Sequence, residues 1–414
     1  MRPDHDPTNE PSIPEAGAQR QAEVKWLTWL LGSYTMLGPF SISTYMPFFP
    51  AMMVSLGATQ LELQQTLSVY LAAFGFMMLF HGPLSDALGR RPVVIGGLVV
   101  YLFASVGGAL ATSLSLLLFF RTVQGLAVGA GGVVGRAIIR DRLQGAEAQR
   151  LLSQVTMIFA LAPAVAPVFG GWLHNWLPWQ SVFWFLALFA LLQLVATFAY
   201  LPETLPREKR MPMKLAALTR SYGSVLKSKP FWLLTLALSC NFAGFFLYIA
   251  SAPVFIVEYL GLKQSQFGWL FIPVWTGVML GAYLSGKLAR KYSGAASVRY
   301  GYLVMAVAVV LNVGYNAFLP PIVPWVVLPV MLYTIGMSFA MPGLTILTLD
   351  RFANARGMAS SMQGFVQTMV MTLASGVVSP LVAGSGIGMA IGMLVFLGAG
   401  SLAWLTLDRP SHLG

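Results

Sequence analysis

The sequence predicts an all-α integral membrane protein, with twelve transmembrane helices in two six-helix bundles and both termini cytoplasmic. Three observations predict it. First, of 414 residues 57% are hydrophobic and only 9% charged, and the mean hydropathy is +0.72. A soluble domain carries roughly 25% charged residues, and a globule of this length could not hide so much apolar surface. Second, apolar runs long enough to cross a bilayer recur along the chain. Third, Lys and Arg are distributed one-sidedly among the segments between those runs.

Residues 1–24 come first. They are polar, rich in Pro, Asp and Glu, and lack the basic start, apolar stretch and cleavage site of a signal peptide. They read as a disordered cytoplasmic leader. The runs then lie at about 26–48, 65–84, 93–112, 116–139, 152–173, 180–201, 231–255, 266–288, 300–319, 324–348, 359–382 and 387–407. Each is continuously apolar rather than alternating, which selects helices over barrel strands. Residues 25–201 form an N-terminal six-helix bundle, 202–230 a cytoplasmic basic linker, 231–408 a C-terminal six-helix bundle and 409–414 a cytoplasmic tail.

With the N-terminus inside, every Lys and Arg falls on the cytoplasmic side except Lys263, in an outer loop, and Arg121, within the fourth run. The linker carries Arg207, Lys209, Arg210, Lys214, Arg220, Lys227 and Lys229. Its plainest role is retention inside, with contact to anionic lipid. The net charge of +11 therefore belongs to topology, not to nucleic acid. The halves echo each other: Gly82-Pro-Leu-Ser-Asp86 ends the second run and Gly286-Lys-Leu-Ala-Arg290 the eighth. Such a chain suggests two repeated bundles facing each other across a central path.

Several classes are excluded. Cys240 is the single cysteine, and His5, His81, His174 and His412 are scattered, so neither a disulfide framework nor a metal site is expected. A nucleotide-binding loop is missing, and with it ATP drive from this chain. No Ser/His/Asp set or long surface domain supports a membrane enzyme. No cofactor is expected.

Four motifs carry chemistry. The loop after the second run reads Gly82-Pro83-Leu84-Ser85-Asp86-Ala87-Leu88-Gly89-Arg90-Arg91-Pro92. Its glycines permit a tight turn and close helix approach, Asp86 needs a cationic or dipolar partner, and Arg90 and Arg91 hold the loop at the inner lipid surface. The fourth run contains Arg121-Thr-Val-Gln124-Gly125; an arginine there costs roughly 2.5 kcal/mol or more, and its place in the outer half leaves snorkelling open. The fifth contains Pro163, Pro167, Gly170 and Gly171, which bend a helix and admit another backbone. The first ends Ile42-Ser43-Thr44-Tyr45-Met46-Pro47.

The loop resembles the signature loop of the major facilitator superfamily, with Ala87 where a basic residue is common. The fourth-run pattern resembles that superfamily's span-4 motif, and the fifth resembles the motif of its drug:proton antiporters, with Ala166 where glycine is usual. The end of the first run, with Arg136-Ala-Ile-Ile-Arg140-Asp141 and Ser251-Ala-Pro253, resembles the Bcr/CflA branch of drug-resistance exporters. The resemblance spans nearly the whole chain after residue 25. It implies a secondary transporter of the bacterial inner membrane that exports small, mostly apolar organic compounds by alternating access, in exchange for protons, as a monomer surrounded by lipid. It implies that the loop is a conformational latch, with Asp86 at the N-terminus of span 11 near Gly357 to Ser361 and Arg356 as an added partner. It further implies that Arg121 faces the cavity and takes part in proton coupling.

Ser43 stands where many members of that branch have an aspartate. None of the fourteen Asp and Glu residues falls near a membrane centre. Three readings of coupling remain open: Glu62 or Glu258 from the outer side, Asp86 or Asp141 from the inner side, or none. Candidate walls of the path are Tyr34, Ser43 and Tyr45 on span 1, Asn241, Phe245 and Phe246 on span 7, Trp275 on span 8, and Gln363 and Gln367 on span 11. Aromatics with a few amides suit uncharged or weakly polar molecules. A facilitator or metabolite carrier of the same fold, and a transport-inactive sensor, are the alternatives.

Overall fold

The computed structural model describes residues 13–211, 215–288, 291–352 and 356–407. The expected leader up to residue 12 and the expected tail at 409–414 lie outside them. The described residues form helices and turns, without a strand.

Helix α1 (Ile13–Ser43) starts well inside the stretch expected to be disordered. Pro14 sits in its first turn, where a missing N–H is tolerated. The Ala, Glu, Gln and Arg residues that follow are good helix formers, able to extend a helix nucleated further on. α1 stops short of the expected limit at residue 48 because Pro47 and Pro50 divert the chain into a 3-10 turn, Met46–Phe48, and then α2 (Phe49–Leu56).

The second expected span is broken. α3 (Gln60–Met78) and α4 (His81–Leu88) meet at 48°. Pro83 is the cause: it has no N–H to give the Leu79 carbonyl, and its ring crowds that oxygen. α5 (Arg90–Ala109), α6 (Leu114–Arg142), α7 (Gly145–His174) and α8 (Gln180–Tyr200) complete the first half. A short α9 (Leu215–Leu226) lies in the linker.

The second half holds α10 (Lys229–Ala250), followed by a π-helical turn Val254–Tyr259, then α11 (Gly268–Leu288), α12 (Gly294–Phe318) and α13 (Leu328–Asp350). α14 (Arg356–Leu373) passes through a π turn, Ala374–Val378, into α15 (Ser379–Val382), and α16 (Gly386–Leu405) ends the described chain. Among the described residues, ten helices are long and apolar enough to cross a membrane, eleven with the α3–α4 pair. α1 occupies the first expected span without being among them, because Ser33, Tyr34, Thr35, Gly38, Pro39 and Ser41 dilute its apolar run.

The two halves pack by one scheme. In the first, α3 and α5 lie on α6, α5 on α8, and α1 on α7 and α8; in the second, α11 and α12 lie on α13, α12 on α16, and α10 on α14 and α16. Across the halves α3 meets α14 and α7 meets α11. Loop 82–92, the end of α6 and the linker come together at one end of the bundle, here termed the basic end.

Candidate functional site

At the basic end, Gly89 takes φ +106°, a region that glycine enters without strain. A Cβ there would overlap the Glu203 carboxylate. The turn places Arg90 at the first position of α5, where it bridges two acids: Nη1 lies 2.5 Å from Asp86 Oδ1 and Nε 3.1 Å from Asp141 Oδ2. Its backbone N–H donates to Glu203 Oε1 at 3.0 Å, so that carboxylate sits at the positive end of the α5 dipole. Glu203 also pairs with Arg210 at 3.6 Å. Arg91 donates to the Phe198 carbonyl at 2.9 Å, and Gly82, in the first turn of α4, is open to either side. The loop is thereby tied to α6, α8 and the linker.

The structure does not bring Asp86 to α14. Arg90 holds its carboxylate, and Arg356 is paired with Asp350 at 3.0 Å. A full charge one turn away outcompetes the partial charge of a helix end. The expected latch is therefore not made in this arrangement.

Arg121 neither snorkels nor faces an open path. It is fully buried within the first half, its guanidinium 4.5 Å from the Tyr45 ring and 4.3 Å from the Tyr70 ring. Nη1 donates to Gln124 Oε1 at 2.9 Å, and Gln124 Nε2 donates to Ser105 Oγ at 2.9 Å. Ser41 meets the Tyr101 hydroxyl in the same layer, and the Tyr45 hydroxyl reaches Thr66 at 3.1 Å. No Asp or Glu takes part, and Nε and Nη2 have no hydrogen-bond partner. The charge rests instead on two aromatic faces, each worth about 0.5–2 kcal/mol. Gly125 allows this packing, since a Cβ would strike the Tyr70 carbonyl.

At the opposite end α7 makes a backbone seal. A Cβ on Gly170 would overlap the Thr44 carbonyl within the first half, and one on Gly171 the Gln264 carbonyl across the halves. Pro167 and Pro163 are buried about one and two turns earlier on the same helix. Beside it, Gln65 Nε2 donates to the Gly376 carbonyl at 3.1 Å and Ser68 to Ser375 at 3.3 Å, both across the halves. Glu62 is used locally: with Thr59 it forms the capping box of α3, Thr59 N–H donating to its carboxylate at 2.8 Å.

The expected wall residues scatter. Tyr34 bonds Thr197 at 2.6 Å inside the first half, and Asn241 lies within the second, its carbonyl accepting from the Tyr333 hydroxyl at 2.9 Å. Phe245 is edge-on to Phe242 and Trp275, at 5.3 and 5.7 Å. Phe246 and Ser43 are buried, Gln363 donates to Thr348 at 3.3 Å, and Gln367 is half-buried on α14. Of the expected set, Arg121, Tyr45, Gln124 and Gly125 form one cluster, Asp86, Gly89 and Arg90 a second at the basic end, and Phe245 and Trp275 a ring pair in the second half. Tyr70, Ser105 and Glu203 were not legible beforehand: each is a lone polar residue on a face that only packing identifies.

A sequence profile described as Major Facilitator Superfamily matches residues 31–377. The chain is 28% identical over 269 residues to a bicyclomycin resistance protein homolog of Haemophilus influenzae, covering 65% of this chain and 68% of that protein. It is 32% identical over 274 residues to a chloramphenicol resistance protein of Pseudomonas aeruginosa, covering 66% and 64%. The fold is similar to that of a partially occluded, inward open xylose transporter from E. coli, with TM-score 0.70, 13% identity and coverage of 95% and 100%.

Proposed function

The chain belongs to the Major Facilitator Superfamily, a family of multi-pass membrane transporters rather than enzymes, and on that premise we propose that it exports small, mostly apolar organic compounds in exchange for protons. The observation that carries this reading is the enclosed Arg121, held by Tyr45, Tyr70 and Gln124 without an acid. A buried charge is expensive to keep, and this one sits in the layer joining α1, α3, α5 and α6. Relatives named for bicyclomycin and chloramphenicol resistance support the substrate class.

In this reading the chain is a twelve-span monomer of a bacterial inner membrane, with the basic end and both termini cytoplasmic, and the path opens alternately to each side. The seal at Gly170 and Gly171, with Asp86 turned away from α14, fits a state closed to the outside. Export by antiport then requires a group that binds a proton in one state and releases it in the other. Glu62 is a weak candidate because its carboxylate already caps α3.

The test is proton movement in inside-out vesicles carrying the protein, followed with a pH-sensitive dye across a panel of neutral, anionic and cationic antimicrobials, with Arg121→Ala as control. Compound-triggered proton release that disappears in the control is expected. Compound movement without a proton signal would instead establish a facilitator, and no movement of any compound a carrier of another class or a sensor.

A further inference from the structure

His81 is the one ionisable side chain of the α3–α4 break, and the roles assigned so far leave it unused. It is the first residue of α4, immediately after the 48° bend, and is 3% exposed. The Leu126 carbonyl of α6 accepts one hydrogen bond from its ring. Nδ1 is buried and has no partner. It faces the α6 backbone at Gly129, where an added Cβ would lie 3.1 Å from Nδ1 and 3.2 Å from Cε1. The missing side chain at Gly129 is what makes room for the ring.

We propose that His81 is the proton-carrying group, bound to its proton when α4 lies away from α6 and deprotonated in the arrangement described here. The proposal rests on the antiport reading and supplies the carrier that reading needs. The chemistry is one proton transfer. The Nδ1 lone pair takes a proton from water to give an imidazolium, and the same N–H bond later breaks to return the proton to water. In this arrangement the imidazolium would have one N–H on the Leu126 carbonyl and the other aimed at Gly129, with no acceptor. It therefore disfavours this packing, and the neutral ring favours it, which is the differential affinity a coupled switch requires.

The charged groups around it leave the ring alone. On α4 itself Asp86 is engaged by Arg90 of α5, which also holds Asp141 of α6. Arg121 and Arg136 lie about two turns to either side of Gly129 on α6, and the acid of α3, Glu62, is at its far end. None of these makes an ion pair or hydrogen bond with His81. Because α4 carries Asp86 five residues on, a change at His81 moves the loop that ties α5, α6 and the linker together.

Two measurements test this. In the vesicle assay His81→Gln, which keeps a donor amide and cannot titrate, should lose the accumulation of about tenfold per pH unit that a one-proton exchange sustains, while downhill exchange of the same compound persists. His81→Asn replaces it if the glutamine variant fails to reach the membrane. Proton release in the variant equal to wild type overturns the proposal alone; compound movement without protons in wild type overturns the antiport reading and this proposal with it. Independently of any compound, a Val168→Cys/Gly268→Cys disulfide should hold the seal between α7 and α11 shut. Histidine NMR of the purified full chain should then show His81 neutral from about pH 5.5 to 8, with titration restored on reduction. A ring that titrates identically in the locked and reduced protein overturns the proposal.

Discussion

Tyr45 and Tyr70 decide whether Arg121 can stay where it is. Their rings flank a guanidinium that has no carboxylate, and the Tyr45 hydroxyl adds a bond to Thr66. Two substitutions separate these contributions. Tyr45→Phe keeps the ring and should cost about 1 kcal/mol, the value of one hydrogen bond. Tyr45→Leu also removes the aromatic face and should cost about 2 kcal/mol more, seen as a lower thermal midpoint in detergent. Equal losses in the two variants would mean that the ring face contributes nothing to holding the charge.

Among the elements, the break at Pro83 and the π turn before Pro380 follow one rule. Pro83 leaves the Leu79 carbonyl without its helical donor, and Pro380 leaves that of Gly376. Each orphan is filled from elsewhere: the Tyr222 hydroxyl of α9 donates to Leu79 at 2.7 Å, and Gln65 of the opposite half donates to Gly376. Burial holds the Tyr222 phenol above its ordinary pKa, so it remains a donor at any physiological pH. Tyr222→Phe should therefore cost about 1–3 kcal/mol through the unpaired carbonyl. In a Pro83→Ala background, where residue 83 regains an N–H, the same change should cost close to nothing. A double-mutant cycle on thermal stability measures that coupling; additive losses would place the Tyr222 contribution elsewhere.

For the whole molecule, the proposed closure to the outside rests on the contact where α7 meets the loop before α11. Gly171→Leu cannot approach the Gln264 carbonyl, so it should shift the population away from this state. Alkylation of a cysteine placed near that end should quicken, while insertion in the membrane is unchanged; an unaltered rate would remove Gly171 from the seal. Much of this was legible in advance. Continuous apolar runs mark most of the helices and their order, because the desolvation of a backbone segment depends on its composition. The turn at Gly89 was legible because glycine enters that backbone region without strain. The break at Pro83 was not read in advance, and the bend expected at Pro163 and Pro167 does not interrupt α7, because prolines sit inside continuous helices as well and packing decides which of them breaks. The partners were illegible: Glu203 at the start of α5, Tyr70 over Arg121, His81 against Gly129, and Asp86 turned to Arg90 rather than to α14. Those choices depend on which helix faces lie against each other, and the apolar character that marks a span is nearly uniform around it. Only the packed structure distinguishes one face from the next, by where small residues let backbones meet and where a buried polar atom finds its partner.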